Sequence, residues 1–162
     1  MSSQFACRRP AVLGCALLAL SAVPSASSGA AASESAATKA SLVVEVHGLR
    51  NEAGRVAVAL FDEAEAFPDQ ERSLRGSLSP IRKGRATVVF EGLKPGVYAV
   101  AVLHDENKND RMDFNFLGMP REGYGFSRDA PVLLGPPSFD SAAFRLRARR
   151  SIVRIEARYF SL

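Results

Sequence analysis

The chain has 162 residues, 47% hydrophobic and 23% charged, a balance that excludes a disordered or wholly membrane-embedded chain and predicts one domain with its own core. Of its 21 Lys and Arg residues, Arg8 and Arg9 precede the first acidic residue, Glu34; the remaining 19 face 17 acidic residues, too even a balance to predict nucleic-acid binding. Both cysteines, Cys7 and Cys15, lie at the amino-terminal end, so the rest of the chain must fold without disulfides and has no thiol chemistry.

Residues 1–32 are expected to be a cleavable signal peptide. Arg8 and Arg9 supply the positive start, Ala11 to Val23 the apolar run, and Pro24 its end. The small residues Ser25-Ala26-Ser27 or Ser28-Gly29-Ala30 then suit a signal peptidase. The apolar run is about 13 residues, short of the roughly 18–20 that cross a bilayer. Val12-Leu13-Gly14-Cys15 is a poor lipid-attachment site, with only three apolar residues between Pro10 and Gly14, and Arg8-Arg9-Pro10 a poor twin-arginine signal. The expected organisation is a leader over 1–32, a polar spacer over 33–40 and one domain over 41–162, in the periplasm or outside the cell, with no transmembrane segment after cleavage.

The domain shows short apolar and β-branched runs split by turn residues, with no long helical period. Leu42 to Val46 and Arg55 to Phe61 are strands, joined by a Gly- and Asn-containing connection that suits a hairpin. Asp62 to Ala66 suits one helical turn ended by Pro68. Arg72 to Ile81 holds a short edge strand, because Pro80 is tolerated only at an edge. Arg85 to Phe90 and Val97 to His104 follow, separated by Lys94-Pro95-Gly96, which has type II turn chemistry. Both faces of Val97–His104 are apolar, which predicts a central strand. After a long Gly-, Pro- and Asn-rich stretch over 105–140, Ala142 to Ala148 and Ile152 to Phe160 alternate apolar and charged residues and are expected to pair as a hairpin. The fold class is all-β: an antiparallel β-sandwich, Ig-like or transthyretin-like, of about seven strands with one long loop.

The most specific local pattern is Asp105, Asn107, Asn109 and Asp113, with the Arg111 carbonyl available between the last two. This is the 1-3-5-7-9 spacing of a calcium loop, in which alternate oxygens converge on a hard cation. Asp110 stands where such loops have Gly, and Phe116 where they have a bidentate Glu. The competing reading is a set of Asx turns in which the same side chains bind their own backbone. A second candidate is a contact loop that includes His104, Glu122, Tyr124 and Phe126; Gly118, Gly123 and Gly125 are expected to allow its close turns. His47 and His104 both end apolar strands, too small a ligand set for a transition metal. Arg145, Arg147, Arg149, Arg150, Arg154 and Arg158 form an arginine stripe on the expected closing hairpin. No nucleophile elbow, phosphate loop or zinc-helix motif is present.

Taken together, Phe90-Glu91-Gly92-Leu93-Lys94-Pro95-Gly96-Val97-Tyr98-Ala99-Val100, His104-Asp105-Glu106-Asn107 and Glu122-Gly123-Tyr124-Gly125-Phe126-Ser127 resemble an uncharacterised family of exported bacterial proteins, domain of unknown function 2141. Gly135-Pro136-Pro137-Ser138-Phe139 with Ala142-Ala143-Phe144 is similar to its closing segment. The family pattern has Asn-Gly where this chain has Asn109-Asp110. The resemblance implies an exported single-domain sandwich and brings no assigned activity. The Phe90–Tyr98 segment is also locally similar to transthyretin-like and carboxypeptidase-regulatory-like sandwiches, commonly accessory modules.

The functional expectation is a monomeric, non-enzymatic binding or accessory module for an unknown protein or envelope component, with calcium as the one cofactor to consider. Two rival readings stand beside it: a hydrolase using His104 and nearby carboxylates, and an envelope-surface protein binding anionic groups through the arginine stripe.

Overall fold

The computed structural model describes residues 39–133, 135–147 and 149–160. The expected leader and most of the spacer lie outside the described residues. Among the described residues, eight strands make two sheets. One has β4 (Ala86–Leu93), β1 (Ala40–His47) and β8 (Arg150–Glu156), in that order; the other has β3 (Arg75–Ser79), β2 (Arg55–Phe61), β5 (Gly96–Asp105) and β6 (Gly123–Phe126), with β7 (Phe144–Leu146) also paired to β5. The chain is therefore an all-β sandwich, as its alternating runs predict. No helix among the described residues is long and apolar enough to cross a membrane.

The inner faces meet in one core. Leu42, Val44 and Val46 of β1 and Val88 and Phe90 of β4 pack against Val56, Val58 and Leu60 of β2 and Tyr98, Val100 and Val102 of β5. Period-2 alternation puts these residues on one side of each strand. β5 is central, flanked by β2 on one side and by β6 and β7 on the other. Its second apolar face carries Ala99 and Ala101, which with Phe61, Phe126 and Ala142 form a smaller cluster on the outside of the sheet. Phe67 closes this cluster, edge-on to Phe61, Phe126 and Phe139. The segment after β2 makes turns and a single 3-10 turn at Gln70–Arg72, and β3 is the edge strand expected before Pro80.

Neither expected hairpin forms. β1 and β2 lie in different sheets, and so do β7 and β8; β8 instead runs parallel to β1, from Ser41 opposite Arg150 to His47 opposite Glu156. Alternation identifies which face of a strand is buried but not its partner. The arginine stripe is divided as a result: Arg145 lies on the β5 sheet, while Arg150 and Arg154 lie on the β1 sheet, where Arg154 binds Glu45 at 3.0 Å. His47 and His104 point to opposite sides of their own sheets and do not meet.

Ser127 closes a gap in the larger sheet. β6 pairs with β5 over Ala101–His104 and β7 over Gly96–Tyr98, so the Val100 N–H falls between them. Ser127 Oγ accepts that N–H at 2.9 Å and donates to the Ala142 carbonyl at 2.6 Å, fully buried. Ser127→Ala leaves both backbone groups without this partner and is expected to cost about 2 kcal/mol by chemical denaturation. A loss below about 0.5 kcal/mol would show that the rung is dispensable.

Candidate functional site

The loop from Asp105 to Glu122 is built by its own polar side chains. The buried Asp105 carboxylate ends β5 and accepts the N–H groups of Asn109 and Asp110, both at 3.0 Å. Asn107 Oδ1 accepts the Asn109 N–H and Asn109 Oδ1 the Arg111 N–H, each at 3.1 Å. The amide groups of Asn107 and Asn109 donate to the two oxygens of Asp113, at 2.6 and 3.0 Å. Asp110 and Lys108 both have φ of +63°, so Asp110 makes a left-handed turn at the position where calcium loops have Gly; Asp tolerates it better than most residues.

The expected ligand residues are thus gathered in one loop, where the oxygens of Asp105, Asn107, Asn109 and Asp113 accept N–H groups of the same loop. Arg55, which the linear spacing gave no reason to include, supplies a positive charge there. Its Nε is 3.2 Å from Asp105, its Nη2 is 2.6 Å from Asp110 and 3.3 Å from the Lys108 carbonyl. No group of three or more His, Cys, Asp or Glu among the described residues is arranged to hold a metal. Because a cation would have to displace the Arg55 charge and the N–H groups that already occupy the Asp105 carboxylate, millimolar calcium is expected to leave the melting temperature unchanged. A cation binding only the folded chain at 100 times its Kd would add about 2.7 kcal/mol, so a rise of several degrees would return these oxygens to the role of ligands.

Glu122 ties the two ends of this loop together. Its buried carboxylate accepts the Glu106 N–H at 2.9 Å through Oε1 and the Asp113 N–H at 3.2 Å through Oε2. Beside it, His104 sits fully buried at the end of the inter-sheet core. Nε2 is 2.9 Å from the Ala53 carbonyl, which can only accept, so Nε2 carries a proton; in the neutral ring Nδ1 then accepts from the Tyr159 hydroxyl at 2.6 Å. That hydroxyl accepts the Arg50 N–H at 3.1 Å, and the Arg50 guanidinium stacks 4.6 Å from the Tyr159 ring centre. Burial and the neighbouring Glu106 charge push the Tyr159 hydroxyl above its ordinary range. Burial also pushes Glu106 up, but hydrogen bonds from Arg50 and Asn51 outweigh it and hold the carboxyl low.

Gly123 and Gly125 make no turn; they lie in β6. A Cβ on Gly123 would stand 2.5 Å from the Tyr159 ring, and one on Gly125 would stand 2.6 Å from Ile155. These two positions let the strand press against the carboxyl-terminal segment. Gly118, with φ of +75°, is the turn residue expected there.

The loop forms one wall of an apolar groove of about 620 Å³ on the outer face of the larger sheet. Its floor is Ala101 and Leu103 of β5 with Tyr124 and Phe126 of β6. Met112, Phe114, Leu117 and Met119 line it from this loop, and Val132, Leu133 and Pro136 from the segment after β6. Pro68, Gln70 and Phe160 also line it, and none of the described lining residues is charged. Size and composition suit a small apolar ligand held by few polar groups. Of the expected contact residues, Tyr124 and Phe126 belong to the groove, while His104 and Glu122 lie behind it as support. Val132, Leu133 and Phe160 were not legible as site residues, because only the fold brings them to the same groove as the loop.

No curated protein matches the chain. Among solved structures, a pilus-presented adhesin, Spy0125 (Cpa), aligns with 74% of this chain and 27% of its own length, at 12% identity and a TM-score of 0.24, values that support no inference. The family model for uncharacterized proteins conserved in bacteria (DUF2141) matches residues 44–153, from β1 into β8 and across the whole Asp105–Glu122 loop. The chain belongs to that family.

Proposed function

We propose that this chain is an exported, non-enzymatic binding module whose outer-sheet groove takes an uncharged, mainly apolar ligand. The observation that carries the reading is the groove itself: an uncharged lining on a rigid sheet, with a wall fixed by buried carboxylates. A soluble domain rarely leaves a large apolar patch exposed without a use for it. Export rests on the charge and apolar pattern of residues 1–32. The hydrolase reading has little to stand on, since His104 is sealed in the core with both ring nitrogens engaged.

Nile red, a neutral apolar dye, tests the reading. The full chain is expected to bind it with a fluorescence rise, and Leu117→Asp or Met119→Asp to weaken binding at least tenfold. Either substitution puts a charge against apolar surface. Both side chains are partly exposed, so the fold should tolerate the change. No fluorescence rise with the unaltered chain, or equal binding by the variants, would sink the proposal.

A further inference from the structure

The mouth of the groove has an unusual rim. Phe116, at the tip of the loop wall beside the lining residue Leu117, is 95% exposed. Leu133, a lining residue from the segment after β6, is 86% exposed. Phe114 and Leu117 are more than half exposed as well. Two large apolar side chains thus stand in water at or next to the residues that line one apolar groove, although the chain has an ample core for burying such residues. Next to the loop wall are two basic residues: Arg111 precedes Met112 and Arg121 follows Pro120. Both are exposed, and neither forms an ion pair with a described residue.

Apolar tips beside basic side chains are the chemistry of a lipid–water interface: hydrocarbon takes up the tips, and phosphate headgroups meet the guanidinium groups. We infer that the groove opens onto a phospholipid surface and that its occupant is a lipid acyl chain. Phe116 and Leu133 dip below the headgroups, Arg111 and Arg121 meet phosphate, and the acyl chain enters the groove. This rests on the binding-module reading and names its ligand class. The uncharged lining fits an acyl chain. The surface differs from the arginine stripe, since its main contacts are apolar and should survive salt.

Flotation with mixed phosphatidylcholine–phosphatidylglycerol vesicles tests the inference, comparing the full chain with the double variant Phe116→Ser, Leu133→Ser. Both proteins carry residues 1–38, so a difference between them reports on the tips and not on the apolar amino-terminal run. Each side chain already stands in solvent, so equal melting temperatures are expected and serve as the folding control. The unaltered chain should float with vesicles at high salt, and the variant should bind at least tenfold less, a modest demand given about 1.5–3 kcal/mol for burying each such side chain. Failure of the unaltered chain to float, or equal flotation of the variant, overturns the inference. A concentration-dependent dimer that the double variant abolishes, without vesicle binding, also overturns it and assigns the tips to self-association. Nile red binding without vesicle binding leaves the groove a ligand site while removing lipid as its source; absence of both removes the two readings together.

Discussion

Gly54→Ala is expected to destabilise the domain by about 3 kcal/mol or more and to lower its melting temperature by at least about 10 °C. Gly54 has φ of +70°, a left-handed conformation that costs an L-residue with a Cβ about 1–2 kcal/mol. The added Cβ would also overlap the Asp105 carbonyl oxygen and stand 2.6 Å from Glu106 Cα. These are backbone atoms at the end of the central strand, so no side-chain rotation can relieve the contact. Relief requires moving the base of the Asp105–Glu122 loop, with the Asp105 carboxylate and its N–H partners. Gly76→Ala is the matched control. Gly76 lies on the edge strand β3 with no atom within 4 Å of an added Cβ, and its replacement should change stability by no more than about 0.5 kcal/mol. Thermal melts of the two variants decide the matter, and equal melting temperatures would refute the packing account.

Removing the Glu122 carboxylate is expected to have the next largest effect. Glu122→Ala takes the acceptor from two backbone N–H groups that it bridges across the base of the loop, Glu106 on one side and Asp113 on the other. Hydrogen bonds to charged groups contribute about 1.5–3 kcal/mol each. Some of the loss is recovered when water enters, so about 2–4 kcal/mol is expected from denaturant unfolding. Amide exchange at Glu106 and Asp113 should quicken, while the inner strands lose protection only through the global loss of stability. Glu122→Gln should fall between, because its amide retains one acceptor oxygen but turns a donor toward the other N–H. Nile red affinity should fall along the same series, since the released loop carries Phe114, Leu117 and Met119 away from the floor. A Glu122→Ala variant with unchanged exchange at Glu106 and Asp113 would show that the carboxylate does not tie the loop.

Apolar, β-branched runs were enough to identify the strands at Leu42–Val46 and Arg55–Phe61, and alternation in Ile152–Phe160 identified the inward side of Ile155 and Ala157, since a residue's side of a sheet follows from its parity. The two apolar faces of Val97–His104 likewise marked the central strand. Pairing was not legible. The parallel register of β8 on β1 joins residues more than a hundred positions apart, as Ser41 and Arg150, and β7 reaches β5 from about fifty positions away; a local period carries no information about either. The polar loop was read in outline from Asp105, Asn107, Asn109 and Asp113. Its cation, Arg55, was hidden because β2 lies beside the end of β5 only in the folded sheet. The glycines of β6 suggested turns because glycine permits them; their actual use is close approach to Tyr159 and Ile155.

By itself, the sequence determined that this chain is an all-β domain and singled out the loop from His104 to Ser127 as its most specific local pattern. Those properties are local, set by side-chain parity, by turn residues and by the short reach of Asp and Asn to nearby N–H groups. The tertiary structure decided how the segment is held: it buries His104 against the Ala53 carbonyl and the Tyr159 hydroxyl, and it turns Asp105 toward Arg55. It also brought Phe114, Leu117 and Met119 together with Leu133 around one groove that Ala101 and Leu103 of the sheet also line. A groove exists only between surfaces that distant parts of the chain bring together, so no pattern along the chain could announce it.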